Sequence, residues 1–99
     1  MSILMAQAKI KAEGVTDVQA ATEKMFAAIN AAQPEGIRYA SVLLPDGETF
    51  VALLQVDDGV DNPIPALPEF RELQERVAGS RAEPASVQPL TVIGSYRLF

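Results

Sequence analysis

Hydrophobic and polar residues alternate with period two from Ile3 to Ala12, with Ala6, Ala8 and Ile10 on one side and Met5, Gln7, Lys9 and Lys11 on the other. That alternation predicts a first strand. The following run, GVTDVQAATEKMFAAINAA, changes to helical spacing at Val18, Ala21, Met25, Ala28, Ile29 and Ala32, and Pro34 and Gly36 close it. Thr16 and Gln19 have the spacing of a capping box at its start. Two β-rich runs come next, Ile37 to Leu44 and Glu48 to Val56, joined by Pro45-Asp46-Gly47, the chemistry of a three-residue hairpin loop. The stretch VDDGVDNPIPALPEF then leads to Pro68, which suits the first position of a helix. Glu69 and Glu72 sit in its first turn, Leu67, Phe70, Leu73, Gln74 and Val77 mark a face, and Gly79 stands near its end. SRAEPASVQP is a polar connection, and Leu90 to Phe99, LTVIGSYRLF, reads as a last strand.

The order βαββαβ predicts an α+β, ferredoxin-like fold. Its elements are one four-stranded antiparallel sheet with both helices on one face, in a single domain spanning residues 1–99. If Leu44 pairs with Glu48, then Val42 faces Phe50 and Ala40 faces Ala52, joined by Leu54 and Val56 on an apolar side that suits the helices. Ala6, Ala8, Ala40, Ala52 and Gly94 on that side allow close helix packing or leave room for a pocket. The same register puts Met5, Tyr39, Leu43, Val51, Leu53 and Ile93 on the second face, beside Gln7, Lys9, Ser41, Thr49 and Gln55. A face so apolar needs a cover. A second copy of itself is the simplest one, so the expectation is a homodimer.

Composition narrows the partners. A net charge of −5, with eight scattered basic residues, disfavours nucleic acid. No apolar run is long enough for a membrane span, and the N-terminal stretch lacks the basic region of a signal peptide, so the expected location is the cytoplasm. With no cysteine and no histidine, thiolate nucleophiles, the commonest general base and the usual zinc and haem ligands are all missing. The aspartates of the long loop do not match a calcium site: Gly59 is third from Asp57, not sixth, and Pro68 stands where a bidentate Glu is required. The loop reads as a connection, and neither a metal nor another cofactor is expected. The pairs Arg71/Glu75 and Glu72/Arg76 lie at helical spacing and read as a solvated helix face.

The βαββαβ order in about a hundred residues, the proline-rich acidic lead into LPEFRELQERV and the terminal PLTVIGSYRLF together resemble the dimeric α+β barrel superfamily. The similarity is to its antibiotic-biosynthesis-monooxygenase-like branch. The resemblance implies two sheets packed into a barrel with helices outside, and a small hydrophobic ligand between the sheet and helices of each subunit. It also implies one of several roles: some members oxidise aromatic polyketides or quinols without flavin or metal, and others degrade haem, a role the absence of histidine disfavours, or have no known activity. The competing reading is a non-catalytic dimeric module that binds a ligand or partner. Tyr39, Tyr96 and Arg97 are the polar side chains that strand alternation best places toward an interior, where a phenol or guanidinium would stabilise a phenolate or enolate. Branch members often use Asn, Trp, Tyr and Arg in such roles; this chain has no Trp and only Asn30 and Asn62. A continuous cavity above roughly 300 Å³ with convergent polar groups separates the ligand-binding readings from a filled, structural interior.

Overall fold

The computed structural model describes residues 2–98. Strand β1 (Ser2–Lys9) is followed by a short 3-10 turn, helix α1 (Val15–Ala32), strands β2 (Ile37–Leu43) and β3 (Thr49–Val56), helix α2 (Pro68–Ser80) and strand β4 (Ser86–Leu90). The strands form one antiparallel sheet in the order β2-β3-β1-β4, the arrangement expected of a ferredoxin-like chain.

Helix α1 carries its buried stripe at Val18, Ala21 and Met25 and ends on Gln33, which takes the left-handed conformation (φ 49°) and donates its N–H to the Ile29 carbonyl. The capping box at Thr16 and Gln19 does not form. The helix instead starts at Val15 directly from the 3-10 turn, with Gly14 as its cap residue and no side-chain cap. Local geometry fixes that entry. Lys11 N–H donates to the Ser80 carbonyl, Ala82 N–H to the Lys9 carbonyl, and a Cβ on Gly14 would lie 2.5 Å from that of Ser80. Only glycine lets the start of α1 meet the end of α2 so closely.

The hairpin register is one residue away from the expected one, and this changes which face β2 presents. Leu43 pairs with Phe50, Ser41 with Ala52 and Tyr39 with Leu54, while Leu44 N–H donates to the Thr49 carbonyl. Glu48 therefore belongs to the turn. Asp46 is the cause: Oδ1 accepts the backbone N–H groups of both Glu48 and Thr49 at 2.9 Å, and Oδ2 accepts the Thr49 hydroxyl at 2.6 Å. Tyr39, Ser41 and Leu43 consequently join Leu4, Ala6, Ala8, Phe50, Ala52 and Leu54 on the helix side. Arg38, Ala40 and Val42 turn to the open face.

The last strand also differs from expectation. β4 occupies Ser86–Leu90, almost wholly within the stretch read as a connection and sharing only Leu90 with the expected strand, and pairs with β1 from Ile3↔Leu90 to Gln7↔Ser86. Residues 91–98 form no strand, and Phe99, the expected end of one, lies outside the described residues. Pairing explains the result: β-propensity shows that a segment suits a sheet, but a strand exists only where an edge is available to it. Of the nine exposed large hydrophobics among the described residues, Val87, Leu90, Ile93, Tyr96 and Leu98 all belong to this final part of the chain. No helix among the described residues is long and apolar enough to cross a membrane.

Candidate functional site

Three neighbouring cross-strand rows on the helix side have different bulk. Ser41, Ala52, Ala6 and Val87 make a row across all four strands. On one side of it stand Tyr39, Leu54 and Leu4, on the other Leu43, Phe50 and Ala8. The small central row leaves space beneath the helices between its bulkier neighbours. A cavity of about 290 Å³ results, with Ala6, Ala8 and Ala52 in its lining, Val18 and Thr22 of α1 and Phe70, Leu73 and Val77 of α2 opposite them. Ile64, in the 3-10 turn Ile64–Ala66, closes one end; it is fully buried, and its N–H is held by the Asn62 side chain at 3.0 Å. The long loop leading there is a positioned connection. Gly36, at φ 79°, accepts the Asp57 N–H and leaves no room for a Cβ against Val60.

Tyr39 lines this cavity, and its ring packs on Phe26 of α1 with centroids 5.0 Å apart. Burial pushes its phenol above the ordinary tyrosine value, so at neutral pH it is an O–H donor and not a phenolate. Tyr96 and Arg97 stand elsewhere. Tyr96 is 82% exposed, Arg97 lies over its ring at 5.1 Å, and neither lines this cavity. Thr22 is a lining residue that sequence reasoning passed over. Its signal was there: it falls four residues after Val18 and three before Met25, within the buried stripe of α1. Gln74 occupies the same kind of position between Phe70 and Val77 of α2.

Outside the cavity, the two helices are joined by ion pairs on their exposed side. Lys24 Nζ donates to Glu72 Oε2 at 2.8 Å, and Arg76 bridges to Glu72 at 3.7 Å and Asp17 at 3.8 Å. The hydrogen bond from Lys24 holds Glu72 below the ordinary carboxylate range, and the same bond raises Lys24. The Thr49 hydroxyl, with the two turn amides, lowers Asp46 likewise. Stability carried by Glu72 and Asp46 is present above the ordinary carboxylate range and is lost as pH falls through their lowered folded values. Stability carried by Lys24 is present below the ordinary lysine value and is lost as pH rises through its raised one. Urea midpoints are therefore expected to be level across neutral pH and to drop in acid. Glu72→Gln and Asp46→Asn should each remove a small part of the acid limb, small because both groups are exposed; an acid limb unchanged in the double variant would show that other groups cause it. Among the described residues no cluster of three or more acidic side chains is placed to hold a metal ion.

No protein-family model matches the sequence, and none of the curated proteins matches it. Solved structures do. One described as an antibiotic biosynthesis monooxygenase superposes with a TM-score of 0.74 over 95% of this chain and 100% of its own, at 17% identity. The chain has the fold of the antibiotic-biosynthesis-monooxygenase-like structures. Rv0793 from Mycobacterium tuberculosis matches with a TM-score of 0.73 at 15% identity, covering 95% of this chain and 96% of that one. A variant of SnoaB, described as a cofactor-independent oxygenase from Streptomyces nogalater, matches at 0.67 and 15%, covering 97% and 96%. At such identities the agreement is one of architecture: the same order of strands and helices around the same sheet.

Proposed function

We propose that the chain is a homodimeric protein that binds a small hydrophobic or aromatic molecule between its sheet and helices and oxidises it without a cofactor. The observation that carries the reading is the cavity, whose volume of about 290 Å³ falls just short of the roughly 300 Å³ of ligand-sized pockets but whose lining brings a protonated Tyr39 together with other polar groups. The oxygenases among the structural neighbours support the choice of chemistry. An anthrone-type substrate supplies the hard step from its own acidity: it loses a carbon-bound proton to water, the charge moves to its oxygen, and the Tyr39 O–H donates to that oxyanion. The electron-rich ring then reacts with O2. One oxygen atom stays on the carbon that gives up two hydrogens, and the other leaves as water.

With Tyr39 and Leu43 on the helix side, the apolar part of the open face is the smaller patch of Met5, Val51, Leu53 and the exposed Val42, and this patch supports the dimer. Oxygen uptake with anthrone- and quinol-type compounds tests the reaction. Tyr39→Phe is expected to lower turnover by about 10²-fold, the effect of losing one oxyanion donor, with ligand affinity little changed. Turnover unaffected by that change would remove Tyr39 from the chemistry, and tight binding without oxygen uptake would favour a non-catalytic ligand-binding module.

A further inference from the structure

The polar side chains of the cavity have one property in common. Thr22, Tyr39, Ser41, Asn62 and Gln74 are hydroxyls and amides, and Gln7 and Ser86, which also contribute to its lining, are uncharged as well. The chain has eight basic and thirteen acidic residues, and none of them lines the cavity. Lys24 and Arg76, on the adjoining helices, are engaged with Glu72 and Asp17 on the exposed side. A carboxylate or phosphate brought in from water would give up its hydration without meeting a counter-charge, inside a chain whose net charge of −5 already opposes it, unlike the delocalised oxyanion of the proposed reaction, which forms in place against the Tyr39 O–H. A ligand hydroxyl, carbonyl or amide loses no such solvation and finds both donors and acceptors among the lining groups. Tyr39 adds to the contrast, since a phenol that keeps its proton serves a neutral oxygen as donor without bringing a charge of its own.

We infer that this cavity selects electrically neutral, oxygen-bearing ring compounds and rejects the corresponding carboxylates and phosphates. The inference rests on the reading of the cavity as the ligand site, and it narrows that reading from shape and polarity to charge. It also sets a place in a reaction sequence. A ring compound that begins as an acid reaches this protein only after a step that removes or masks the acid group, by decarboxylation, esterification or amidation.

The test uses ring compounds of one shape that differ in charge. 2-Naphthamide and 2-naphthoate are titrated into the intact protein at neutral pH and followed by ligand-observed NMR, with 2-naphthol as a second neutral probe. The neutral compounds are expected to bind at least about tenfold more tightly than the acid, a difference of about 1.4 kcal/mol. Thr22→Arg, which adds a cation to the helical wall, should reverse the order by improving 2-naphthoate and weakening 2-naphthamide. Ser41→Lys provides the same change from the sheet if the helical variant fails to fold. Equal affinity for amide and acid in the unaltered protein would overturn charge selection while leaving the ligand site in place. Absence of binding by all three probes, and by a wider set of neutral ring compounds, would overturn the ligand site and the inference together.

Discussion

Replacing Leu53 with aspartate is expected to abolish the proposed dimer. Leu53 lies at the middle of the open face, in a cross-strand row with Ala40 on β2 and with Met5 and Gln88 through β1. Val51 and Val42 make the next row, half-buried and exposed respectively, so the patch around Leu53 remains partly wet in one subunit. Each square ångström of apolar surface covered by a second sheet contributes roughly 25 cal/mol. A carboxylate at the centre would be desolvated without a partner, a penalty of about 3–5 kcal/mol, or about two to three and a half orders of magnitude in the dimer dissociation constant. Sedimentation at micromolar concentration should give about twice the 10.6 kDa chain mass for the unaltered protein and a single chain, folded or unfolded, for the variant. Gln88→Asp, at the exposed end of the same row, is the control and should stay dimeric. A folded single chain before any substitution would end the assembly argument.

The second large effect is expected one residue earlier in the chain. Ala52 belongs to the small central row beneath the helices, and Ala52→Leu places three further carbon atoms in the cavity. Affinity for ring compounds should fall by at least about tenfold, and oxygen uptake, where present, should fall with it. Thermal stability should hold or rise, because a filled void regains dispersion contacts and removes the cavity penalty of about 24 cal/mol per Å³. Ala27→Leu, on the exposed side of α1, should leave binding unchanged. Loss of binding accompanied by a fall in stability would mean damage to the fold; retained binding with retained stability would place the ligand elsewhere.

Which parts of this arrangement are legible in sequence depends on the range of the interaction that decides them. The alternation of β1 and the Val18–Ala21–Met25 stripe are decided by burial of nearby residues, so period alone finds them. The hairpin register is decided by the Asp46 carboxylate, which gathers two amides and a hydroxyl and lengthens the turn by a residue. Pro-Asp-Gly reveals a turn but not that capture, and the missed residue moved Tyr39 to the wrong face. The final strand is decided by pairing. Ser86–Leu90 contains Pro89, yet it lies beside β1 and becomes the edge strand, whereas the more β-like residues after it form no strand. As for the site, the alanines of β1 and β3 already allow for an unfilled space, but the neutral lining does not show in any motif. Thr22, Gln74 and Asn62 come from three distant segments and meet only when the chain is folded.

Ala52 and Leu53 are consecutive residues on β3, one turned to the cavity and the other to the open face. The wall between the two is thus a single layer of backbone. No independent scaffold isolates them, so a ligand that shifts β3 displaces the surface offered to a second subunit. Whatever factor such a ligand imposes on subunit association, association must impose on the ligand's affinity. Concentration then becomes a control variable: the same chain, diluted below its dissociation constant, would present a differently tuned receptor.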